Sequence, residues 1–220
     1  MSNLLTFPSQ GGFEFPQSFT EKYRPIKIAD FVGLEKPKRI CERLAAEPRP
    51  GCWFFLGPSG TGKTTLALAL AAAIPAELHH IPSQDFNLEN ITRVRRTCQY
   101  VPMAGHKMHM VLIDEADRAT TAAQIASLSI LDSTNFPPNT IFVLTGNSTD
   151  GLEPRFMSRC HLVEFSSYGI SDEIAALLEK VWDAETDNPV GRPNFKRIAK
   201  DANNNVREAL MKLETEVMSQ

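Results

Sequence analysis

The stretch Gly57-Pro58-Ser59-Gly60-Thr61-Gly62-Lys63-Thr64 constrains this chain more than any other feature. It follows CWFFL (52–56), a continuous apolar run, and leads into KTTLALALAAAI (63–74). The apolar run between breakers predicts a strand buried on both faces. The segment after it is apolar on every side of a helix, which predicts a buried helix ended by Pro75. A glycine-rich turn from buried strand into buried helix is the context of the GxxxxGK[ST] phosphate loop. Its glycines let backbone N–H groups turn inward around phosphate oxygens, and the helix N-terminus adds partial positive charge. Lys63 is placed to meet the outer phosphates of a nucleotide, and the Thr64 hydroxyl to ligate Mg²⁺. Residues Gly57 through Thr65 are therefore candidate nucleotide contacts.

Four further apolar runs recur: ELHHI (77–81), HMVLI (109–113), TIFVLT (140–145) and HLVEF (161–165). Helical stretches around 88–100 and 120–132 separate them, and another helix is expected from Lys36 to about Ala46. Strands alternating with helices predict an α/β fold with a parallel five-stranded sheet covered on both faces. After Phe165 the strands stop. Ile174, Leu177, Leu178, Val181 and Trp182 form one helical stripe. Phe195, Ile198, Ala199 and Ala202 form a second, and Val206, Ala209, Leu210 and Leu213 a third. Asn205 followed by Glu208 reads as a capping box. The expected organisation is an extended arm over residues 1–19, a nucleotide-binding α/β domain over 20–165 and a small all-helical domain over 166–220.

VLIDEAD (111–117) ends a buried strand in carboxylates, at the place where parallel sheets hold ligands. Asp114 is the candidate Mg²⁺ ligand with Thr64. Glu115 is the candidate base for an attacking water, which points to hydrolysis as well as binding. The strand 140–145 ends in Thr145-Gly146-Asn147. Asn147 either orients the water or touches the γ-phosphate, or is simply a turn former.

Charge is close to balance, −3 overall. That excludes a wholly basic nucleic-acid binder and requires any such contact to be a local patch. Arg93, Arg95 and Arg96 are the candidate DNA-binding cluster, with a solvated helix face as the alternative. Lys196, Arg197 and Lys200 read as a solvated group. No apolar run of about 18 residues is present, so no membrane span is expected. The start lacks signal-peptide features. The four cysteines have no CxxC spacing, which suits a reducing compartment. The expected setting is intracellular and soluble, cytoplasmic or nuclear. His79, His80, His106 and His109 lack a matching Cys/His pair at zinc spacing, which reads against a zinc site. Met103, Met108 and Met110 read as core and loop filler. Phe13, Phe15 and Phe19 are expected either to dock on a partner subunit or to pack on the chain's own surface.

The order GPSGTGKT, LIDEAD, TGN, SRC resembles AAA+ ATPases, with the P-loop fold and helical lid of that family. More narrowly it resembles the small subunits of replication factor C type sliding-clamp loaders. TEKYRPIKIADFVG (20–33) is similar to that family's EKYRP…D-V-G signature, and DEADRATTAAQIA (114–126) to its DEAD-x-x-T-x-x-A-Q-x-A stretch. The resemblance implies that Tyr23, Pro25, Val32 and Gly33 surround the adenine. It implies that Asn147 senses the γ-phosphate and that Arg207 is a second sensor reaching from the lid. It also implies that Arg159, in SRC, is an arginine finger entering a neighbouring subunit's site. ATP and Mg²⁺ are then the expected cofactors. The expected partners are other AAA+ subunits, DNA and a sliding clamp or another client protein.

The sequence departs from the family in three places. Leu128 and Ser129 stand where paired arginines are usual. Asn204-Asn205 replaces a usual Gly-Asp. The family's helical collar domain is absent from this sequence, which suggests either a shortened form or a minimal relative. The leading expectation is an ATP-hydrolysing clamp-loader subunit. A helicase loader or transposition regulator forming rings or filaments on DNA is the second reading. A nucleotide switch without turnover is the third.

Overall fold

The computed structural model describes residues 16–103, 105–132, 134–186 and 191–219. Phe13 and Phe15 lie outside them. The chain opens with α1 (Phe19–Lys22) and α2 (Glu35–Ala46). The sheet region then runs β1 (Gly51–Leu56), α3 (Lys63–Ala73), β2 (Ala76–Ile81), α4 (Leu88–Cys98), β3 (Met108–Ile113), α5 (Thr121–Leu128), β4 (Thr140–Gly146), α6 (Pro154–Met157) and β5 (His161–Glu164). Three lid helices follow: α7 (Ser171–Glu185), α8 (Phe195–Asp201) and α9 (Val206–Met218).

The five strands form one sheet in the order β2-β3-β4-β1-β5, and all pairings are parallel. This order sorts the helices. From β1 the chain crosses outward to β2, then steps back through β3 and β4. Right-handed crossovers in opposite directions place their helices on opposite faces. Accordingly α3 and α2 pack on the face carrying Phe55, Met110, Leu112, Ile141 and Val163. Helices α4, α5 and α6 pack on the face carrying Phe54, Val111, Ile113, Phe142 and Leu144. Both β3 and β4 are buried along their whole length, as strands covered on two faces must be.

The three lid stripes meet in a core of their own around Ile174, Leu178, Trp182, Ala199, Ala209 and Leu213. Phe19 is buried in that core, so the arm expected to stay extended to residue 19 turns into α1 there. Two helices are shorter than their patterns predict. After α4, Gln99 and Tyr100 bond back to Arg96 and Thr97, and the tightened turn stops the helix at Cys98. After α5, the Ser127 carbonyl accepts from both Ile130 and Leu131, which closes the helix at Leu128. No helix among the described residues is long and apolar enough to cross a membrane.

Candidate nucleotide site

Parallel strands end together, so their C-terminal tips share one edge of the sheet. Leu56 pairs with Gly146, and Ile113 with Leu144. That register brings the loop after β1, the carboxylates after β3 and the polar tip of β4 to one place. Lys63 is buried there, and its ammonium donates to the carbonyls of Gly57 (2.7 Å) and Pro58 (2.8 Å) and to Asn147 Oδ1 (3.0 Å). Burial holds its pKa below the ordinary lysine value, and Arg207 pushes the same way while Asp117, Glu115 and Asp114 oppose. The lysine thus spans the loop and the sensor position.

Thr64 Oγ1 donates to Asp114 Oδ1 at 2.8 Å, and Thr145 Oγ1 donates to the same oxygen at 3.0 Å. A hydroxyl and a carboxylate oxygen side by side are the hard donors that Mg²⁺ takes from protein, so the pair fits that ion. The other carboxylate oxygen, Oδ2, lies 2.7 Å from His80 Nε2 on β2. Sequence reasoning missed His80 as a neighbour of this site. Glu115 follows in a left-handed backbone conformation, φ +49°, which costs a non-glycine residue about 1–3 kcal/mol. Its N–H donates to Thr145 Oγ1 at 3.0 Å, and its carboxylate meets Arg118 at 3.2 Å on the surface. Strain at a strand tip directed at a ligand edge points to use rather than accident. Asn147 is fixed on its other side by its N–H donating to Asp117 Oδ2 at 2.9 Å.

The loop itself requires its glycines. A Cβ on Gly57 would stand 2.2 Å from the Phe165 carbonyl oxygen. A Cβ on Gly60 would stand 2.1 Å from Asn205 Oδ1, and Gly60 has φ +76°. Asn205 does two things at once. Its Oδ1 caps α9 by accepting from Glu208 N–H at 3.2 Å, and its Nδ2 donates to the Ser59 carbonyl at 3.0 Å. The residue that departs from the Gly-Asp pattern therefore ties the lid to the phosphate loop. Helix α3 starts at Lys63 without a side-chain cap, so its first-turn N–H groups face the loop's concavity, free for an anion. Thr61 closes the turn by donating to the Pro58 carbonyl at 2.8 Å.

A cavity of about 200 Å³ opens beside the loop, between the arm, the loop and the lid. Tyr23, Pro25 and Val32 line it, as do Gly60, Thr61, Gly62, Thr65 and Arg207. Gly33 is not among the lining residues. It turns instead against Ile170, where a Cβ would come within 2.7 Å of a side-chain carbon. Phe31, Leu177 and Leu210 supply apolar walls that the sequence reading did not select. Tyr23 is held by donating to the Glu185 carboxylate, and Lys22 meets the same carboxylate at 2.6 Å.

Arg159 is elsewhere. It precedes β5, whose first residue His161 pairs with Trp53, whereas the loop leaves β1 at its other end after Leu56. Its guanidinium donates to the Arg155 carbonyl at 2.8 Å and lies 3.5 Å from Asp132. The turn carrying it is anchored by Gln124, buried on α5. The Gln124 amide donates to Ala119 and Gly151 and accepts from Glu153 N–H at 2.7 Å. Leu128 packs against the core and Ser129 donates to the Ala126 carbonyl, so neither position offers a cation. On α4, Arg93 and Arg96 are exposed and Arg95 is half-buried. Lys196 and Arg197 are paired with Asp172 and Asp201.

Residues 53–168 match the profile of the ATPase family associated with various cellular activities, AAA. The replication factor C small subunit 1 of Pyrobaculum aerophilum is 34% identical over 154 residues, covering 66% of this chain and 46% of that protein. The replication factor C subunit 2 of Arabidopsis thaliana is 30% identical over 213 residues, covering 92% of this chain and 62% of that one. The chain thus spans about half the length of the curated relatives it matches. Among solved structures, the RuvB Holliday junction branch migration motor of Thermotoga maritima superposes with a TM-score of 0.69 at 18% identity, over 90% of this chain and 72% of that one. At that identity the likeness is one of fold alone.

Proposed function

This chain belongs to the AAA family of ATPases, and from that premise we propose that it binds and hydrolyses ATP as one subunit of an oligomer assembled on DNA, most like a sliding-clamp loader subunit. One observation carries the reading: Lys63, Thr64, Asp114, Glu115 and Asn147 converge on one sheet edge, while Arg159 stands at the other end of β5.

Each side chain has a task that its position suits. Lys63 exchanges the Gly57 and Pro58 carbonyls for phosphate oxygens. Thr64 and Asp114 would hold Mg²⁺, which would supply screening of the phosphates' negative charge. Glu115 turns from Arg118 to accept a proton from water as the water oxygen bonds to the γ-phosphorus and the bond to ADP breaks. Asn147 orients that water. Tyr23, Pro25 and Val32, with Gly33 behind them, enclose the base. Arg207 reaches in from the lid.

Arg159 has no phosphate of its own to meet, so it serves a neighbouring copy. That requirement makes assembly part of the reaction. The names of the relatives support a replication setting. Arg93, Arg95 and Arg96 are the proposed contact to the DNA backbone, with a clamp or another client as the further partner. Backbone contact of that kind weakens steeply with salt and is indifferent to sequence.

Mixing experiments test the trans arrangement. Lys63→Ala and Arg159→Ala copies, each assayed alone with ATP and primed DNA, should lose turnover, the second by about 10³–10⁵-fold. Arg159→Ala should still bind ATP. Mixed together, the two should recover part of the activity, because intact Lys63 then faces intact Arg159. Mass measurement under the same conditions should show an oligomer. An Arg159→Ala protein that turns over normally, or a mixture that recovers nothing, refutes the arrangement.

A further inference from the structure

The edge strand β2 carries a cluster that plays no part in nucleotide chemistry. His79 on β2, Cys98 at the end of α4 and His109 on β3 each bring one ligand atom to a common point, all within 4.8 Å of one another. The spacing along the chain gives no hint of it. Only the register of β2 against β3, with His79 beside Val111 and Glu77 beside His109, and the packing of α4 over both strands, brings the three together. We propose that His79, Cys98 and His109, with Glu77 as fourth donor, form a zinc-binding site that pins β2 to β3 and α4.

The geometry fits. His79 Nε2 and His109 Nδ1 are 3.0 Å apart, against about 3.3 Å for two nitrogens on one tetrahedral zinc with bonds of about 2.0–2.1 Å. Glu77 Oε2 lies 3.7 Å from His109 Nδ1 but outside the close group formed by the other three, so it is the donor that must move inward on binding. His109 directs its second nitrogen, Nε2, at the Tyr100 carbonyl, 2.9 Å away. That bond keeps the proton on Nε2 and leaves Nδ1 as a bare ligand, the support that metal-bound histidines usually have. Glu77 is steadied by accepting from Met103 N–H at 2.8 Å.

The donor chemistry selects the ion. Two imidazoles and a thiolate are poor ligands for Mg²⁺ or Ca²⁺ and good ones for Zn²⁺. The charges close as well: a dication, one thiolate, one carboxylate and two neutral imidazoles sum to zero. Cys98 and His109 are fully buried, where an uncompensated charge is costly. Without metal, burial pushes the Cys98 thiol up to about 12 and holds His79 below its ordinary value. The thiol is then protonated, so binding releases its proton. A surface cavity lined by Glu77, Tyr100, Met103 and His109 gives the ion access, with Arg96 at its rim opposing it.

This site is independent of the nucleotide reading, and its test uses neither ATP nor turnover. The full chain is stripped with a chelator and titrated with Co²⁺, then with Zn²⁺. One equivalent of Co²⁺ should produce a thiolate-to-metal charge-transfer band that Zn²⁺ displaces. A band of this kind cannot come from metal at Asp114, which has no sulfur. Cys98→Ser should abolish it, while Cys52→Ser, a control at the neighbouring thiol pair Cys52–Cys160, should keep it. If Cys98→Ser fails to fold, His79→Gln carries the test, on an edge strand that tolerates it. It should weaken Co²⁺ binding by at least about 10-fold and remove the rise in Tm that Zn²⁺ gives the parental chain. Absence of the band in the parental chain, survival of the band in folded Cys98→Ser, or unchanged affinity in His79→Gln overturns the proposal.

Discussion

The phosphate loop and the cleft beside it share Gly60, Thr61 and Gly62, yet they are built in opposite ways. The loop is one contiguous stretch hung on a buried strand, and its partners sit on two strands of fixed register. The cleft draws Tyr23 from the arm, Phe31 from the connection after it, Leu177 from α7 and Leu210 from α9. Tyr23, Leu177 and Leu210 belong to a core separate from the two that sandwich the sheet, and Phe31 to the sheet core under α2 and α3. The sheet therefore fixes the loop's geometry, and the seating of the lid fixes the cleft's width. Changes at the loop and strand tips should act on rate, and changes in the cleft on affinity.

Glu115→Gln gives the sharpest separation. Removing the base should lower turnover by about 10²–10⁴-fold and leave equilibrium ATP binding unchanged. A parallel loss of affinity would break the division. Gly60→Ala strikes the one point where the two regions meet. Its left-handed φ costs about 1–2 kcal/mol in an L-residue, and the new methyl displaces Asn205 from its bond to Ser59. Tm should fall by about 2–8 °C, and ATP affinity should fall with it. A loss of stability with affinity intact would mean that the Asn205 link serves the fold alone. Leu177→Ala is milder. Trimming one apolar wall should cost about 1–2 kcal/mol of binding, read as a raised KM with kcat unchanged.

The same contrast explains what was legible in the sequence. The loop, the carboxylates after β3 and the stripes of α7, α8 and α9 could be read because each is a local pattern with one period or one fixed spacing. The cleft walls could not. Leu177 is one apolar residue in a stripe, and nothing local says that it faces a cavity rather than the lid core. Gly33 was selected by resemblance alone, and the structure gives its turn a packing reason against Ile170. His80 beside Asp114, and His79 beside His109 and Cys98, depend on strand register and helix seating. Asn205 was legible as a cap, but its bond to Ser59 crosses from lid to loop, a distance along the chain that no motif spans.

The smallest expected effect concerns the clasp between arm and lid. Lys22 first, and Tyr23 after it, hold the Glu185 carboxyl below its ordinary value of 4.5. A depressed folded value means that the carboxylate's stabilisation is complete above the unfolded value and fades as pH falls through the folded one. Tyr23 is shifted the other way, to about 12, chiefly by burial and then by Glu185. Its contribution holds below the ordinary tyrosine value of 10.0 and fades as pH rises toward about 12. Both parts of the clasp are thus intact across the neutral range. An ion pair with one exposed partner is worth about 0–1 kcal/mol, so Glu185→Gln should lower Tm at neutral pH by no more than about 4 °C. That difference from the parental chain should shrink in acid as pH falls through the depressed folded value, where Glu185 itself becomes neutral. The KM for ATP decides what the clasp does. Tyr23 lines the cleft, so a KM that rises in Glu185→Gln while kcat holds would make the clasp the element that sets cleft width. An unchanged KM would leave that width to the apolar packing of Phe19 and Leu210.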